Sequence, residues 1–278
     1  MKIYRTATGI IIENNETFYR STQSDWDVFL NRDDLHPQLQ AEINTLTPVG
    51  GAEWLASQTI LAPIVSQEIW AAGVTYSRSK NARMEESKDA GGGTFYDRVY
   101  EAERPEIFFK ASAQRTVGTG GKVRIRKDST WDVPEPELTL YFTSSGKIVG
   151  YTVGNDMSSR SIEGENPLYL PQAKSYDGCA GLGPCLYVPN SPIASHTRIT
   201  LEIKRGGQTV FANSIAIDQM KRGHEELGAF LFRECSFPLG CFLMTGTGIV
   251  PPNDFTLQSN DEVFITIDNI GTLHNVVA

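Results

Sequence analysis

The sequence predicts a β-rich α+β protein. Three observations carry that reading: short runs of apolar and β-prone residues recur along the chain, turn residues punctuate them, and helical periodicity is confined to a few stretches. No internal repeat or low-complexity tract interrupts the pattern.

The elements follow in order. Ile3-Tyr4-Arg5-Thr6 and residues 9–12 are β-prone, and a polar stretch rich in Asn and Asp comes next. Ala62-Pro63-Ile64-Val65 reads as a linker, so residues 1–65 are expected to form a small N-terminal domain and residues 66–278 the main one. Ile69-Trp70-Ala71-Ala72-Gly73 reads as a buried strand. Further strands are expected at 121–127, 138–142, 148–153, 198–204, 209–213 and 263–267, with hairpin turns at 144–147 and at Arg205-Gly206-Gly207-Gln208. Helical patterns cover 83–88, extending through 95–103, and 219–233, where Met220, Leu227, Phe230 and Leu231 share a face.

Composition excludes several functions. The chain of 278 residues carries a net charge of −8 and a pI near 5.1, which gives no electrostatic footprint for nucleic acid or an anionic membrane. No apolar run is long enough to span a bilayer, and residues 1–10 lack a signal-peptide core. Cys179, Cys185, Cys235 and Cys241 form no C-x-x-C pair, so reduced thiols in a cytoplasmic protein are expected.

The most informative local feature is Asp132-Val133-Pro134-Glu135-Pro136-Glu137-Leu138. In an extended segment residues i and i+2 share a face, so Glu135 and Glu137 stand side by side, where like charges repel unless a cation intervenes. Asp156 is expected to begin a loop just after the partner strand 148–153. Three converging carboxylates without a nearby His or Cys suit a hard cation, Mg²⁺ or Mn²⁺. An E-x-E pair is also common on exposed strands, so the pattern alone leaves both readings open.

Six segments in order sharpen it: Gly73-Val74-Thr75-Tyr76, the 132–138 run, Gly154-Asn155-Asp156-Met157-Ser158-Ser159-Arg160, Ala173-Lys174-Ser175-Tyr176-Asp177-Gly178, Leu182-Gly183-Pro184 and Thr245-Gly246-Thr247. Together they resemble the fumarylacetoacetate hydrolase superfamily over about residues 66–278. The resemblance implies a β-roll core, a metal held by Glu135, Glu137 and Asp156, and a homodimer that is sometimes doubled to a tetramer.

One departure from the family pattern matters. The acylpyruvate hydrolases of this superfamily follow Gly-x-x-Tyr with a His and, three residues later, a Glu, the pair that activates water. This chain has Ser79 and Ala82 there, and none of its four histidines lies near a matched segment. The stretch after Tyr76 instead resembles the branch that dehydrates 2-keto-3-deoxy sugar acids, notably pentonates. In that branch Ser79 replaces the His, and a glutamate in Arg104-Pro105-Glu106-Ile107-Phe108-Phe109-Lys110 is the added acid.

The residue types suit that chemistry. A 2-keto-3-deoxy acid can chelate a divalent ion through its carboxylate and α-carbonyl, which acidifies the C3 proton. Lys174 is the expected base, its pKa lowered by desolvation and a nearby dication. Glu106 is the expected acid at the C4 hydroxyl, its pKa raised by an apolar strand. Loss of water gives an enol that tautomerises to 2-oxoglutarate semialdehyde.

Each residue also has an ordinary reading. Lys174 can be a surface lysine in a loop, Glu106 a solvated strand end, and Ser79 a helix cap. Thr245-Gly246-Thr247-Gly248 is either the family's substrate loop, with Thr247 on the ligand, or a turn, and Ala90-Gly91-Gly92-Gly93-Thr94 either a lid hinge or a loop. Arg83 and Arg160 are the cations available for a substrate carboxylate or for orienting metal ligands. Two rival functions use the same scaffold: an acylpyruvate hydrolase or β-keto acid decarboxylase, and a non-catalytic binding domain. Retention of three carboxylates and Lys174 argues against the second.

Overall fold

The computed structural model describes residues 1–86 and 93–278. A meander of β1 (Lys2–Thr6), β2 (Gly9–Asn14) and β3 (Thr17–Arg20) leads to α1 (Trp26–Leu30), α2 (Leu35–Ile43), β4 (Pro48–Gly50) and α3 (Ala52–Ala56). β5 (Glu68–Gly73), α4 (Ser77–Glu86), α5 (Gly93–Glu101) and β6 (Glu106–Ser112) follow, then the two-residue strands β7 (Thr116–Val117) and β8 (Lys122–Val123). A long hairpin, β9 (Asp132–Phe142) and β10 (Ile148–Ser159), precedes α6 (Arg160–Glu165), α7 (Leu170–Lys174) and β11 (Ala180–Tyr187). The chain ends with β12 (Arg198–Arg205), β13 (Gln208–Ala216), α8 (His224–Leu231), β14 (Cys241–Met244), β15 (Glu262–Ile267) and β16 (Gly271–Val277).

These strands build the β-rich α+β architecture from two sheets. The larger runs β4-β3-β2-β1-β11-β10-β9-β14-β5-β6, with β7 beside β11; the smaller runs β13-β12-β15-β16-β8. β1 pairs with β11, so strands from the first 65 residues continue the same sheet that carries β9 and β10.

Side-chain alternation decides which face of the large sheet is chemical. Leu138, Leu140 and Phe142 on β9, and Tyr151, Val153 and Met157 on β10, pack with Ile199, Leu201, Val263 and Ile265 of the small sheet. The residues of opposite parity, Glu135 and Glu137 on β9 and Asp156 on β10, are thereby turned to the other face. A one-residue slip of β9 would drive Glu135 and Glu137 into the apolar layer, and a slip of β10 would drive Asp156 there, so the core fixes the register as firmly as the turn does. On the other face Trp26, Phe29, Leu30, Leu35 and Leu39 of α1 and α2 cover Ile3, Ile12 and Ile69.

β9 tolerates Pro134 and Pro136 for a specific reason. Leu138 O accepts from Thr245 N, so the backbone of even-numbered β9 residues points toward the β14 side. The ladder with β14 covers only residues 139–142. Proline's missing N–H therefore falls where no strand needs it.

Several expected bounds change. The strand expected at 121–127 is only β8. The helix expected at 219–233 is α8, because residues 217–219 form a 3₁₀ turn and Gly223 begins the helix, its N–H donating to Glu226 Oε2 at 3.2 Å. The hinge considered at 90–94 lies largely outside the described residues.

Candidate active site

Asp156 is not in a loop. It lies inside β10 directly opposite Glu135, while Gly154 pairs with Glu137. The strand outruns its apolar stretch because every residue from Gly150 to Ser159 finds a backbone partner on β9. Direct cross-strand partners have Cβ atoms about 4.5–5.5 Å apart, and one carboxylate oxygen from each of Glu135, Glu137 and Asp156 lies within 4.8 Å of the others. All three residues are buried.

Buried acids at this spacing need positive partners. Lys174 ends α7 with its side chain fully buried, and its Nζ donates to Glu135 Oε2 at 2.6 Å, Asp156 Oδ2 at 3.0 Å and Ser158 Oγ at 2.6 Å. The surface-loop reading of Lys174 is thus overturned. Arg160 donates from Nη2 to Glu135 Oε1 at 2.7 Å, and Gly246 N donates to Glu137 Oε2 at 2.6 Å. Gly246 adopts φ +92°, and a Cβ there would collide with Thr75 Oγ1, so this close backbone approach to Glu137 requires glycine.

The environment sorts the titrations. Burial and the neighbouring Asp156 and Glu135 carboxylates hold Glu137 well above its ordinary pKa. Burial also raises Glu135, with Asp156 adding to it and Lys174 opposing. For Asp156 burial acts upward, but Lys110 and Lys174 outweigh it and bring the pKa below the ordinary value. The lowered pKa expected for Lys174 is not what the chain alone produces. Burial pulls it down, yet the Asp156 and Glu135 carboxylates prevail and raise it. Burial lowers Arg160 to about 10.

The other candidates have definite places. Ser79, in the first turn of α4, accepts from Tyr76 N at 3.2 Å and donates to Tyr76 O at 2.8 Å, so its hydroxyl does act as a cap. It also lines the pocket over the triad, as do Arg83, Thr247, Phe108 and Lys174. Arg83 pairs with the buried Glu163 of α6. Thr247 Oγ1 both accepts from Ile249 N and donates to Ile249 O, each at 3.2 Å. The pocket is tight, about 10 Å³, room for about one water. A larger cleft of about 760 Å³ beside His36, Tyr151 and His224 is separate, and none of its lining residues belongs to the triad.

Glu106 begins β6 opposite Gly73. The residue is partly exposed, but Oε2 is buried without a hydrogen-bond partner among the described residues. Burial raises its pKa, with Glu163 and Asp156 adding to it and Arg83 and Lys174 opposing. A Cβ on Gly73 would overlap Glu106 Oε2, so the missing side chain is what makes room for the carboxyl. Gly73→Ala is therefore expected to displace Glu106 while leaving the triad intact. Turnover should fall by about 10²-fold, the low end of general acid–base contributions, with unchanged Mn²⁺ binding by calorimetry.

Sequence reasoning missed three members of this site. Lys110, fully buried, pairs with Asp156 Oδ1 at 2.6 Å. Ser158 receives Lys174, and Glu163 receives Arg83. A lysine inside the apolar run Ile107-Phe108-Phe109-Lys110-Ala111 was the available signal, because lysine is rarely buried unless paired.

The donor set fits one divalent cation: oxygen ligands only, anionic, buried and convergent, a set that suits Mg²⁺ and lacks the nitrogen or sulfur typical of Zn²⁺. Residues 69–278 match the model of the fumarylacetoacetate (FAA) hydrolase C-terminal family. A probable 2-keto-3-deoxyxylonate dehydratase of Haloferax volcanii is 49% identical over 216 residues, 77% of this chain and 73% of that protein. A 2-dehydro-3-deoxy-D-arabinonate dehydratase of Saccharolobus solfataricus is 44% identical over 216 residues, 77% of this chain and 72% of that protein. The solved structure of a 2-keto-3-deoxy-D-arabinonate dehydratase complexed with magnesium and 2,5-dioxopentanoate superposes with a TM-score of 0.82 at 37% identity, covering 100% of this chain and 98% of that one. With the matched model spanning most of the chain and the triad at its centre, this chain belongs to the fumarylacetoacetate hydrolase family.

Proposed function

We propose that this chain is a Mg²⁺-dependent hydro-lyase that removes water from a 2-keto-3-deoxypentonate and yields 2,5-dioxopentanoate, the semialdehyde of 2-oxoglutarate. The observation that carries the reading is the Glu106 carboxyl, its Oε2 buried against Gly73 of the pocket that also holds Lys174 and the acidic triad, with no histidine lining that pocket among the described residues. A hydrolase on this scaffold needs a water-activating base there; a dehydratase needs an acid. The names and identities of the two dehydratase relatives support the same choice over an acylpyruvate hydrolase or a β-keto acid decarboxylase.

Glu135, Glu137 and Asp156 would hold the ion, which supplies Lewis-acid polarisation of the substrate's α-keto acid group. Lys174, whose Nζ already touches two of these carboxylates, is the proposed base for the C3 proton. Glu106, whose pKa burial raises, is the proposed donor to the departing C4 hydroxyl. Arg160 orients Glu135, whereas Arg83, Ser79 and Thr247 face the pocket and are the proposed contacts to substrate oxygens. The C3–H and C4–O bonds break: Lys174 takes the C3 proton, and the C4 hydroxyl leaves as water with the proton from Glu106. The 3-ene so formed loses a C5 proton and regains one at C3, and the resulting C4–C5 enol takes a proton at C4 as its hydroxyl gives one up, which completes the aldehyde.

We also propose a cytoplasmic homodimer, alone or doubled to a tetramer, with residues 1–65 as a small domain ahead of the 66–278 catalytic core. The family match begins at residue 69, all four cysteines are free, and no helix among the described residues is long and apolar enough to cross a membrane. Mn²⁺, of the same charge and oxygen preference, is proposed to substitute for Mg²⁺. The functional test offers 2-keto-3-deoxyarabinonate, 2-keto-3-deoxyxylonate and an acylpyruvate to the Mg²⁺-loaded protein. Aldehyde from a pentonate supports the reading; pyruvate from the acylpyruvate alone replaces it with hydrolysis.

A further inference from the structure

Lys110 lies on β6, and Asp156 on β10 with β9, β14 and β5 between them in hydrogen-bonded order. On a flat sheet four strand spacings would separate them by about 19 Å. Their side chains meet at 2.6 Å, so the sheet curls until β6 faces β10 across α7. The Lys110 ammonium sits at that closure, fully buried. It donates to Met157 O at 2.9 Å and to the backbone O of Lys174, and it forms an ion pair with Asp156 Oδ1. Lys110 does not line the pocket over the triad.

We propose that Lys110 is a positioning residue for the reaction assigned above: from behind the pocket it locks the ligand Asp156 and the base Lys174 into one fixed relation. Asp156 Oδ1 is held by Lys110 and Oδ2 by Lys174, so the carboxylate plane has one orientation. The bond to the Lys174 carbonyl fixes the end of the five-residue helix α7, too short to hold its own last turn. Partners of metal ligands act in this way, and their loss costs about 10–100-fold in metal affinity or activity. This inference rests on the triad being a metal site.

The sign of one measurement separates positioning from simple charge. By Coulomb's law, removing a cation beside Asp156 strengthens its attraction for a dication. Loss of positioning weakens it. Mn²⁺ binding to metal-free protein, followed by calorimetry, should therefore be at least about tenfold weaker in Lys110→Met than in the wild type. The expected rate of C3-proton exchange with deuterated solvent at saturating Mn²⁺ is likewise lower by about tenfold or more. Lys110→Gln, which keeps two donors without the charge, should fold more readily and show a loss in the same direction. Unchanged or tighter Mn²⁺ binding in either folded variant overturns the proposal. Failure of both to fold assigns Lys110 to stability alone and overturns it too. A wild type that binds no Mn²⁺ removes the metal site itself, whereas one that binds Mn²⁺ without dehydrating a pentonate removes only the assigned reaction.

Discussion

Lys174→Met is expected to abolish exchange of the substrate C3 protons with deuterated solvent, a loss of about 10²–10⁴-fold. The change removes the only lysine Nζ in the pocket lining among the described residues and leaves a side chain of similar length. The fold should survive it. Glu135 keeps Arg160 at 2.7 Å, and Asp156 keeps Lys110 at 2.6 Å, so neither buried carboxylate loses its last cation. NMR of the C3 signal in D₂O reads the step directly. A Lys174→Met protein that exchanges at the wild-type rate would move the base elsewhere.

Glu135→Gln, Glu137→Gln and Asp156→Asn should each eliminate activity, as should EDTA, with Mg²⁺ restoring only the wild type. Their effects on the metal-free fold should differ, because their surroundings differ. Asp156 bridges two buried lysines; Lys174 keeps Glu135, but neutralising Asp156 takes from Lys110 the carboxylate it pairs with, a change that costs about 3–5 kcal/mol. Glu137 accepts from the Gly246 N–H, and burial together with its neighbours Asp156 and Glu135 pushes its pKa up. Glu137→Gln should therefore leave the metal-free protein as stable as the wild type or more so. Thermal melts with EDTA separate the two. Equal destabilisation by both substitutions would contradict this electrostatic account, and full activity of any of the three after chelation would contradict the site.

Much of this site could be read from the chain because β-structure writes its geometry in period two. Glu135 and Glu137 announce a shared face, and the glycine turn at 144–147 announces the hairpin that brings Asp156 back. The rest was hidden for definable reasons. Pro134 and Pro136 mask the first half of β9, since proline reads as a break unless the neighbouring ladder is known to stop at residue 139. Asp156 looked like a loop residue because Gly154 and Asn155 precede it, while its strand is held by pairing along β9 rather than by β-propensity. Proline at the start of α7 concealed a helix of five residues, so the burial of Lys174 was invisible. β11 and β14 are largely covered on both faces, which erases alternation. The apolar run around Lys110 marks it as a buried lysine, but its pairing with Asp156 depends on sheet curvature, which no local pattern encodes.

The central claim is that proton removal at C3 and departure of the C4 hydroxyl are two steps run by two residues. One experiment isolates them: Mg²⁺-loaded wild type and Glu106→Gln, each given a 2-keto-3-deoxypentonate in D₂O and followed by NMR. The wild type should form 2,5-dioxopentanoate. Glu106→Gln should incorporate deuterium at C3 yet keep its C4 hydroxyl, because the enolate forms while the leaving group stays unprotonated. A Glu106→Gln protein that dehydrates at the wild-type rate, or a wild type that returns the pentonate unchanged, would contradict the account.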